Sequence, residues 1–412
     1  MRRPTSPTPS KPKSDDMSRA STRALLPAGL IDHLPPDAAH AAEIVERLLA
    51  CFTSHGYERV KPPMIEFEDT LLTGPAAPLA AQTFRLMDPV SQRMMGLRAD
   101  ITMQVARIAT TRLAKAPRPL RLAYEGDVFR VRGAQLRPER QFMQIGFELI
   151  GAPTAAADVE AILLATEALR ATGITTISVD LNVPTLVPAL CRALGIDDAG
   201  ALRDALDRKD AAAVAKAAGA HGSLFGKLLA AAGPAAKAIK SIMALDLDGE
   251  AAADAERLAE VATRVAEADP ALKITADPTE HRGFEYHTGV GFTLFAPRVR
   301  GELGSGGRYL AGGVGADDDG AGEPATGATL YLETIIRALP DPEPGKRLFL
   351  PAGTTLGRAR ALRDKGWTTL ACLDPEAAPR EEAERLGCTH ILSGGKPVAL
   401  GKTGRKPAKK GK

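Results

Sequence analysis

Cysteine is scarce in this sequence of 412 residues, and its four copies show no Cys-x-x-Cys spacing. The scatter excludes a disulfide framework, gives no indication of a zinc site, and fits a protein of the reducing cytosol. No apolar run is long enough for a membrane span. A strong charge of one sign is also missing, because the formal net charge is only +3. We therefore expect a cytoplasmic globular protein without a membrane or specific nucleic-acid partner.

Both ends of the sequence are basic and poor in apolar residues. Residues 1–22 are rich in Pro, Ser, Lys and Arg, and residues 401–412 are mostly Gly and Lys, so both are predicted to be disordered tails. The first tail lacks the apolar core of a secretory signal. A Pro-rich linker at 340–346 predicts a boundary between a large domain, 23–340, and a small α/β domain, 346–400.

Alternation of helix-like and strand-like segments continues through the large domain. We predict a helix over 37–55, a hairpin over 83–100 and a second helix over 101–115. Residues 185–272 are dense in alanine and leucine with glycine breaks, which predicts an all-helical insertion. The glycine-rich run 301–315 is interpreted as a loop whose backbone amides could cradle phosphate.

The stretch 124–151 (YEGDVFRVRGAQLRPERQFMQIGFELIG) contains two strand-like runs joined by an arginine-rich loop. Alternation across a sheet places Gln144, Gly146 and Glu148 on one face of the second run. Glycine has no side chain, so we expect a gap that leaves room for a small ligand between the amide and the carboxylate. These groups suit an ammonium and an azole or amide N–H. The pattern fits an ordinary exposed sheet face equally well.

In its spacing this stretch resembles motif 2 of the class II aminoacyl-tRNA synthetases of the histidyl type. The resemblance extends over about residues 25–340 and implies an α+β fold: an antiparallel sheet flanked by helices, with a helical insertion and a small C-terminal α/β unit. In that family the first arginine of the motif holds the α-phosphate and the carboxylate of the adenylate. The later Gln and Glu hold the amino acid. Carried over, these roles fall to Arg130, Gln144 and Glu148.

The segment LRADIT, residues 97–102, resembles the histidyl-family loop in which an arginine, an acidic residue and a threonine face the amino acid. The resemblance implies that Arg98, Asp100 and Thr102 contact the ligand, although Asp100 is one methylene shorter than the synthetase glutamate. Either Asp100 or Thr102 could instead satisfy the first amides of the following helix. Both roles are compatible with each other.

The segment RGFEYHTG, residues 282–289, resembles a signature of histidyl-tRNA synthetases and their non-catalytic relatives. The resemblance implies that Arg282 neutralises the carboxylate and phosphate of the ligand and that Tyr286 encloses the imidazole. His287 stands where a second tyrosine is usual. Tyr286 and His287 could alternatively be buried structural residues.

The positions that would hold ATP depart from the synthetase pattern. Arg132 replaces a glutamate that meets adenine, Tyr331 replaces a glycine that admits ATP, and Thr334 replaces the arginine that clamps the γ-phosphate. Gly327 and Glu333 remain as in the synthetases. Loss of a phosphate-clamping arginine costs on the order of a thousandfold in rate in analogous enzymes. We therefore expect no aminoacylation.

A retained amino-acid site beside a lost ATP site resembles the non-catalytic relatives that serve as regulatory subunits of ATP phosphoribosyltransferase. Such a subunit is implied to form a homodimer within a hetero-oligomer with the short-form catalytic subunit. It is also implied to take histidine as an effector at the first step of histidine biosynthesis. No catalytic residue, metal or cofactor is expected. The alternatives are an active histidyl-tRNA synthetase and a free-standing amino-acid sensor.

Overall fold

The structure, a computed structural model, describes residues 26–72, 74–133, 137–196, 198–281, 286–312, 322–342 and 345–401. Both predicted tails, apart from Gly401, lie outside the described residues, and so does Arg282. The chain divides between Pro340 and Asp341 into two compact units. Among the described residues, no helix is long and apolar enough to cross a membrane.

A large mixed sheet forms the centre of the first unit, with the order β1-β5-β6-β12-β11-β10-β7-β9-β8. Along this order, every neighbouring pair from β5 to β7 is antiparallel. At the two ends of that series, β1 pairs with β5 and β9 pairs with β7, both in parallel. A small sheet, β2-β4-β3, lies apart from it and contains the predicted hairpin. The strands are β1 (Glu58–Arg59), β2 (Ile65–Phe67), β3 (Arg85–Met87), β4 (Met94–Leu97), β5 (Leu120–Phe129), β6 (Gln141–Ile150), β7 (Ser178–Asn182), β8 (Gly233–Pro234), β9 (Lys273–Ala276), β10 (His287–Phe295), β11 (Gly304–Ala311) and β12 (Glu323–Tyr331).

Helices pack against the sheet and form the insertion, which confirms the predicted α+β class. Short 3-10 segments lie at Gly74–Gln82 and Gly219–His221. The α-helices of the first unit are α1 (Asp37–Ser54), α2 (Glu68–Leu71), α3 (Thr102–Thr110), α4 (Ala155–Thr172), α5 (Leu186–Leu194), α6 (Ala199–Asp207), α7 (Ala211–Ala218), α8 (Gly222–Ala231), α9 (Ala235–Met243), α10 (Gly249–Ala268) and α11 (Leu332–Ala338).

The two faces of β6 belong to different hydrophobic clusters, as the alternating pattern predicts. Ile145 and Phe147 pack with α1 and α4, and the Phe52 and Phe147 rings meet edge to face with centroids 4.9 Å apart. Phe142 and Ile150 point the other way, into a cluster with Tyr124. The polar residues of this second face are therefore inside the protein, between strand and helix α3, and the alternative of an exposed sheet face is wrong.

Residues of the predicted insertion are helical from α5 to α10, and Gly195 ends α5 in the left-handed conformation at φ 63°. The insertion also contributes β8, which pairs with β9 at the edge of the large sheet. A strand at that point was not predicted. Two residues, one of them proline, carry too short a pattern to be recognised as a strand.

The glycine-rich run that suggested a phosphate loop contains strand β11 instead. A Cβ on Gly306 would lie 2.2 Å from the Gly327 carbonyl oxygen and 2.6 Å from the Phe292 ring. Glycine is therefore needed in the strand interior because neighbouring backbone and an aromatic ring approach closely. Tertiary packing overrides the low intrinsic strand preference of glycine here.

The second unit is a small α/β layer with sheet order β14-β13-β15-β16. Its first three strands are parallel and its last pair is antiparallel. Its elements are β13 (Arg347–Leu350), α12 (Leu356–Arg363), β14 (Thr368–Ala371), α13 (Pro379–Arg385), β15 (His390–Ser393) and β16 (Lys396–Ala399).

Candidate functional site

The centre of the candidate site is the carboxyl group of Glu148, which is 1 % exposed. Strand β5 brings the Tyr124 hydroxyl to 3.2 Å from one oxygen, and β11 brings the Tyr309 hydroxyl to 3.0 Å from the other. Opposite it on β12 lies Gly327, where a Cβ would be 2.0 Å from a Glu148 oxygen. Three strands therefore shape a slot around one carboxyl group, and glycine at 327 is required by the close approach.

Burial raises the pKa of Glu148 to about 8, although hydrogen bonds from Tyr309, Thr102 and Tyr124 oppose the shift. A carboxyl group in this environment is mostly protonated at neutral pH until a cationic partner arrives. Burial also raises the pKa values of Tyr124 and Tyr309, so both remain hydroxyl donors. A carboxyl group in this state can pair with a cation only by giving up its proton.

A narrow cavity of about 10 Å³ lies over this carboxyl. Such a volume holds one water molecule. Its walls come from α3, β6, β10, β11 and β12, and are Thr102, Glu148, Tyr286, His287, Ser305, Gly306, Gly307, Tyr309, Gly327, Ala328 and Thr329. An amino acid would require the walls to move apart.

Thr102 and Tyr286, two of the predicted ligand contacts, line this cavity. The Thr102 hydroxyl lies 3.1 Å from the Tyr124 hydroxyl, which also lies 2.7 Å from the Thr329 hydroxyl. The Tyr286 ring stacks on His287 with centroids 4.4 Å apart and an interplanar angle of 28°. Tyr286 is half-buried, whereas His287 is 7 % exposed.

Gln144 and Asp100 do not line the cavity, but their hydrogen bonds fix the backbone beside it. The Gln144 side-chain oxygen accepts from the Ile101 amide at 3.0 Å, and its nitrogen donates to Asp100 at 2.9 Å. Asp100 also accepts from the Thr102 amide at 2.9 Å, which confirms that it satisfies an amide at the start of α3. These bonds join the start of α3 to β6.

The open gap predicted above Gly146 is filled by Tyr124. A Cβ on Gly146 would lie 2.4 Å from the Tyr124 hydroxyl and 2.5 Å from the Ala328 carbonyl oxygen. Tyr124 stands directly opposite Gly146 in the β5–β6 register. The expectation of ligand space at this glycine is therefore wrong, because a neighbouring strand supplies the occupant.

Arg98 is 3 % exposed, and its guanidinium binds backbone. It donates to the Asp127 carbonyl at 2.7 Å and to the Pro62 carbonyl at 3.1 Å. It lies directly over Gly126, where a Cβ would come within 2.0 Å of its Nη2. Burial lowers the pKa of Arg98. In this arrangement Arg98 connects the chain around residue 62 to β5 and does not line the small cavity.

The region where the resemblance would place ATP contains a stack of arginine and aromatic side chains. The Arg137 guanidinium lies 3.5 Å from the Tyr331 ring centroid and 4.9 Å from that of Phe142. Arg130 lies 5.0 Å from the same Phe142 centroid. Arg137 is also paired with Glu302 at 2.6 Å. The Arg137–Tyr331–Phe142–Arg130 stack thus occupies space with cation–π contacts, and Arg130 is part of it.

Thr334, the retained Glu333 and Arg132 complete this side of the site. Thr334 is 1 % exposed and accepts from Arg337 at 3.0 Å. Glu333 accepts from the Met143 backbone amide at 2.9 Å, and burial raises its pKa. The Arg132 side chain is exposed.

A larger cavity of about 220 Å³ lies on the other side of His287, between α5, α6 and the sheet. Arg192, Arg203 and His281 line it. The charge is partly balanced, because Arg192 pairs with Glu250 at 2.5 Å and His281 lies 3.2 Å from Asp207. His287 separates this basic cavity from the small one over Glu148.

This chain is similar to known proteins in both sequence and fold. Residues 29–335 match the family described as Histidyl-tRNA synthetase. A relative from Rhodospirillum centenum, 56 % identical over 375 residues, covers 90 % of this chain and 95 % of its own length. A second relative, from Paramagnetospirillum magneticum, is 55 % identical and covers 91 % of this chain and 98 % of its own length. Both carry the name ATP phosphoribosyltransferase regulatory subunit.

Solved structures share the fold at lower identity. A Bacillus halodurans protein described as an ATP phosphoribosyltransferase regulatory subunit/histidyl-tRNA synthetase superposes with a TM-score of 0.76 at 24 % identity, covering 89 % of this chain and 97 % of its own. Histidyl-tRNA synthetase from Nostoc superposes with a TM-score of 0.75 at 17 % sequence identity, covering 90 % of this chain and 91 % of its own. These likenesses confirm the predicted class II synthetase-like architecture.

Proposed function

The chain belongs to the ATP phosphoribosyltransferase regulatory subunits, a family with the histidyl-tRNA synthetase fold, and we propose that it binds histidine over Glu148 and transmits this binding to a catalytic subunit. Its own contribution is regulatory, without aminoacylation. The reaction that it serves is the first step of histidine biosynthesis.

The observation that carries this proposal is the contrast between two adjacent sites. Around Glu148, buried hydroxyl groups from Tyr124 and Tyr309 maintain a slot suited to an ammonium ion. Next to it, Arg137 stacks on Tyr331 in the region that a nucleotide would need. A protein with the first site and this obstruction of the second is suited to bind an amino acid without activating it.

In the proposed complex, the histidine ammonium meets Glu148 and the imidazole lies against Tyr286. Arg282 remains the candidate for the ligand carboxylate. Thr102 supplies a hydroxyl to the same cavity, while Asp100 and Gln144 hold its frame. Arg130 is a weaker candidate for the carboxylate because its guanidinium lies over Phe142.

Histidine requires more room than one water, so its binding requires the pocket to open. His287 lines both the small cavity and the basic one, and the Tyr286 ring stacks on it. Movement of that pair would connect the two spaces. A ligand that binds an open arrangement better than a closed one shifts the equilibrium between them, and such coupling typically amounts to about 1–3 kcal/mol.

For the assembly we propose a homodimer of this chain within a hetero-oligomer that contains a short-form catalytic subunit. Support comes from the regulatory-subunit name of the relatives, which implies a separate catalytic chain. Histidine would favour one arrangement of the whole assembly and thereby change the activity of the partner.

Two assays test the proposed function. A purified short ATP phosphoribosyltransferase is measured alone, with this chain, and with this chain plus histidine. We expect this chain to raise the activity of the catalytic subunit and histidine to change that activity. The control His33→Gln, altered at an exposed histidine, should show both effects. The chain alone, mixed with ATP, histidine and pyrophosphate, should give no exchange into ATP. Exchange would indicate a synthetase, and absence of any effect on the catalytic subunit would contradict the regulatory role.

A further inference from the structure

A cluster of three potential metal ligands lies away from the histidine pocket, at the C-terminal end of α1. Cys51 and His55 are four residues apart and therefore share one face of the helix. Glu167 approaches them from α4, which packs beside α1. One ligand atom from each, the thiol sulfur, a ring nitrogen and a carboxylate oxygen, all lie within 4.8 Å of one another.

The hydrogen bonding of His55 directs a lone pair into this cluster. Its Nδ1 lies 3.0 Å from the Cys51 carbonyl oxygen, which only accepts, and 3.3 Å from the Ser54 hydroxyl, which donates to that same carbonyl at 2.7 Å, so Nδ1 carries the proton in the neutral ring. Nε2 then presents its lone pair to a Glu167 oxygen 3.4 Å away. In this tautomer two acceptors face each other, and a cation between them would satisfy both. Metal-binding histidines are oriented by the same kind of carbonyl partner.

The distances suit a tetrahedral ion. Zinc bonds of about 2.0–2.3 Å imply separations between ligand atoms of roughly 3.3–3.7 Å. The separation of 3.4 Å between His55 and Glu167 falls in this range, and the Cys51 sulfur lies within 4.8 Å of both ligand atoms, so binding an ion would draw it inwards. Sulfur, imidazole and carboxylate together favour a zinc-class cation, whereas magnesium and calcium prefer oxygen ligands alone.

We propose that Cys51, His55 and Glu167 bind a zinc-class divalent cation, with water completing the tetrahedron, and that the ion links α1 to α4. The expectation of no metal site was based on cysteine spacing, and that criterion cannot detect ligands that two packed helices bring together. The site is separate from the proposed histidine function and does not depend on it.

The test uses the untagged full chain, stripped with a chelator and titrated with Zn²⁺ by calorimetry and with Co²⁺ as a spectroscopic probe. We expect one ion per chain, a thiolate-to-Co²⁺ charge-transfer band, and a higher Tm with Zn²⁺. Because loss of an outer-sphere partner alone weakens metal binding about 10- to 100-fold, Cys51→Ser and His55→Gln should each weaken it by at least about 100-fold.

Matched controls are Cys372→Ser, a half-buried thiol outside the cluster, and His33→Gln, an exposed histidine. Both should retain the ion and the Tm shift. Cys51→Ser should abolish the charge-transfer band while its circular dichroism remains that of the parent. Absence of stoichiometric binding would overturn the proposal. Binding that survives in Cys51→Ser would overturn it as well.

Discussion

Replacement of Glu148 by glutamine tests the proposed ammonium partner with little change of shape. The amide has the shape of the carboxyl group and carries no charge; its oxygen accepts from one of the two tyrosine hydroxyls, and its nitrogen has to donate on the side of the other. Loss of a charge-assisted hydrogen bond to the ligand should cost about 1.5–3 kcal/mol, or about 10- to 150-fold in histidine affinity. Glu148→Ala should weaken binding to a similar extent and in addition leave a cavity.

Glu148→Gln should also stabilise the protein without bound histidine at neutral pH. The pKa of Glu148 is raised from an ordinary 4.5 to about 8 in the folded state. Above pH 4.5 the unfolded chain ionises while the folded chain does not, so stability falls as the pH rises towards 8. At pH 7 this cost is about 3 kcal/mol. Glutamine avoids it but needs acceptors for its amide hydrogens, at about 1 kcal/mol, which leaves a gain of about 2 kcal/mol.

Calorimetry and urea unfolding measure both effects on Glu148→Gln. At pH 7, histidine binding in buffers of different ionisation enthalpy should release close to one proton from the parent chain and correspondingly less from the variant. Urea unfolding should give the variant a higher free energy at pH 7 and no advantage near pH 4.5. Histidine affinity equal to that of the parent would refute the role of the carboxylate. A variant less stable than the parent at pH 7 would refute the reasoning on its pKa.

Three further substitutions separate the parts of the site. Tyr309→Phe removes a donor to Glu148 and should weaken histidine binding by about 0.5–1.5 kcal/mol in calorimetry; full affinity would contradict the assigned hydrogen bond. Gly327→Ala should lower the free energy of unfolding by about 1–3 kcal/mol, since its Cβ would overlap a Glu148 oxygen, whereas the control Gly226→Ala in open space on α8 should raise it by about 0.5–1 kcal/mol. Tyr331→Ala should lower it by about 3–5 kcal/mol without creating ATP–pyrophosphate exchange; exchange would show that the tyrosine alone blocked catalysis.

Sequence reasoning reached Glu148 and the two faces of β6 because side-chain alternation is a local property of one strand. It did not find Tyr124 or Tyr309 as partners, since these come from strands whose register with β6 and β12 is decided by long-range pairing. Tyr309 also lies in the glycine-rich run that was interpreted as a loop. The pairing of β5 and β11 within the sheet brings the two tyrosines to the Glu148 carboxyl group, and the residues around each tyrosine do not reveal that pairing.

The misassigned environment of Gly146 has the same origin. A glycine between two polar residues indicates that something approaches closely, and the sequence cannot say whether this is a ligand or another side chain. The β5–β6 register places Tyr124 opposite Gly146, so the close neighbour is a side chain. For Arg98 the loop position suggested a ligand contact, but backbone carbonyls at Pro62 and Asp127 satisfy the guanidinium. Such partners are invisible to a local pattern because they lie 36 and 29 residues away.

The raised pKa of Glu148 has a consequence for the proposed regulation. In a synthetase the bound amino acid is consumed by reaction with ATP, whereas in a site obstructed by Arg137 and Tyr331 it leaves only by dissociation. Occupancy then reports the free concentration of the ligand. Ionising a carboxyl with a pKa of about 8 costs about 1.4 kcal/mol at pH 7 and weakens binding about tenfold. That cost shifts the response to higher ligand concentration and makes it depend on pH, because each ammonium that binds must displace a proton from the buried carboxyl.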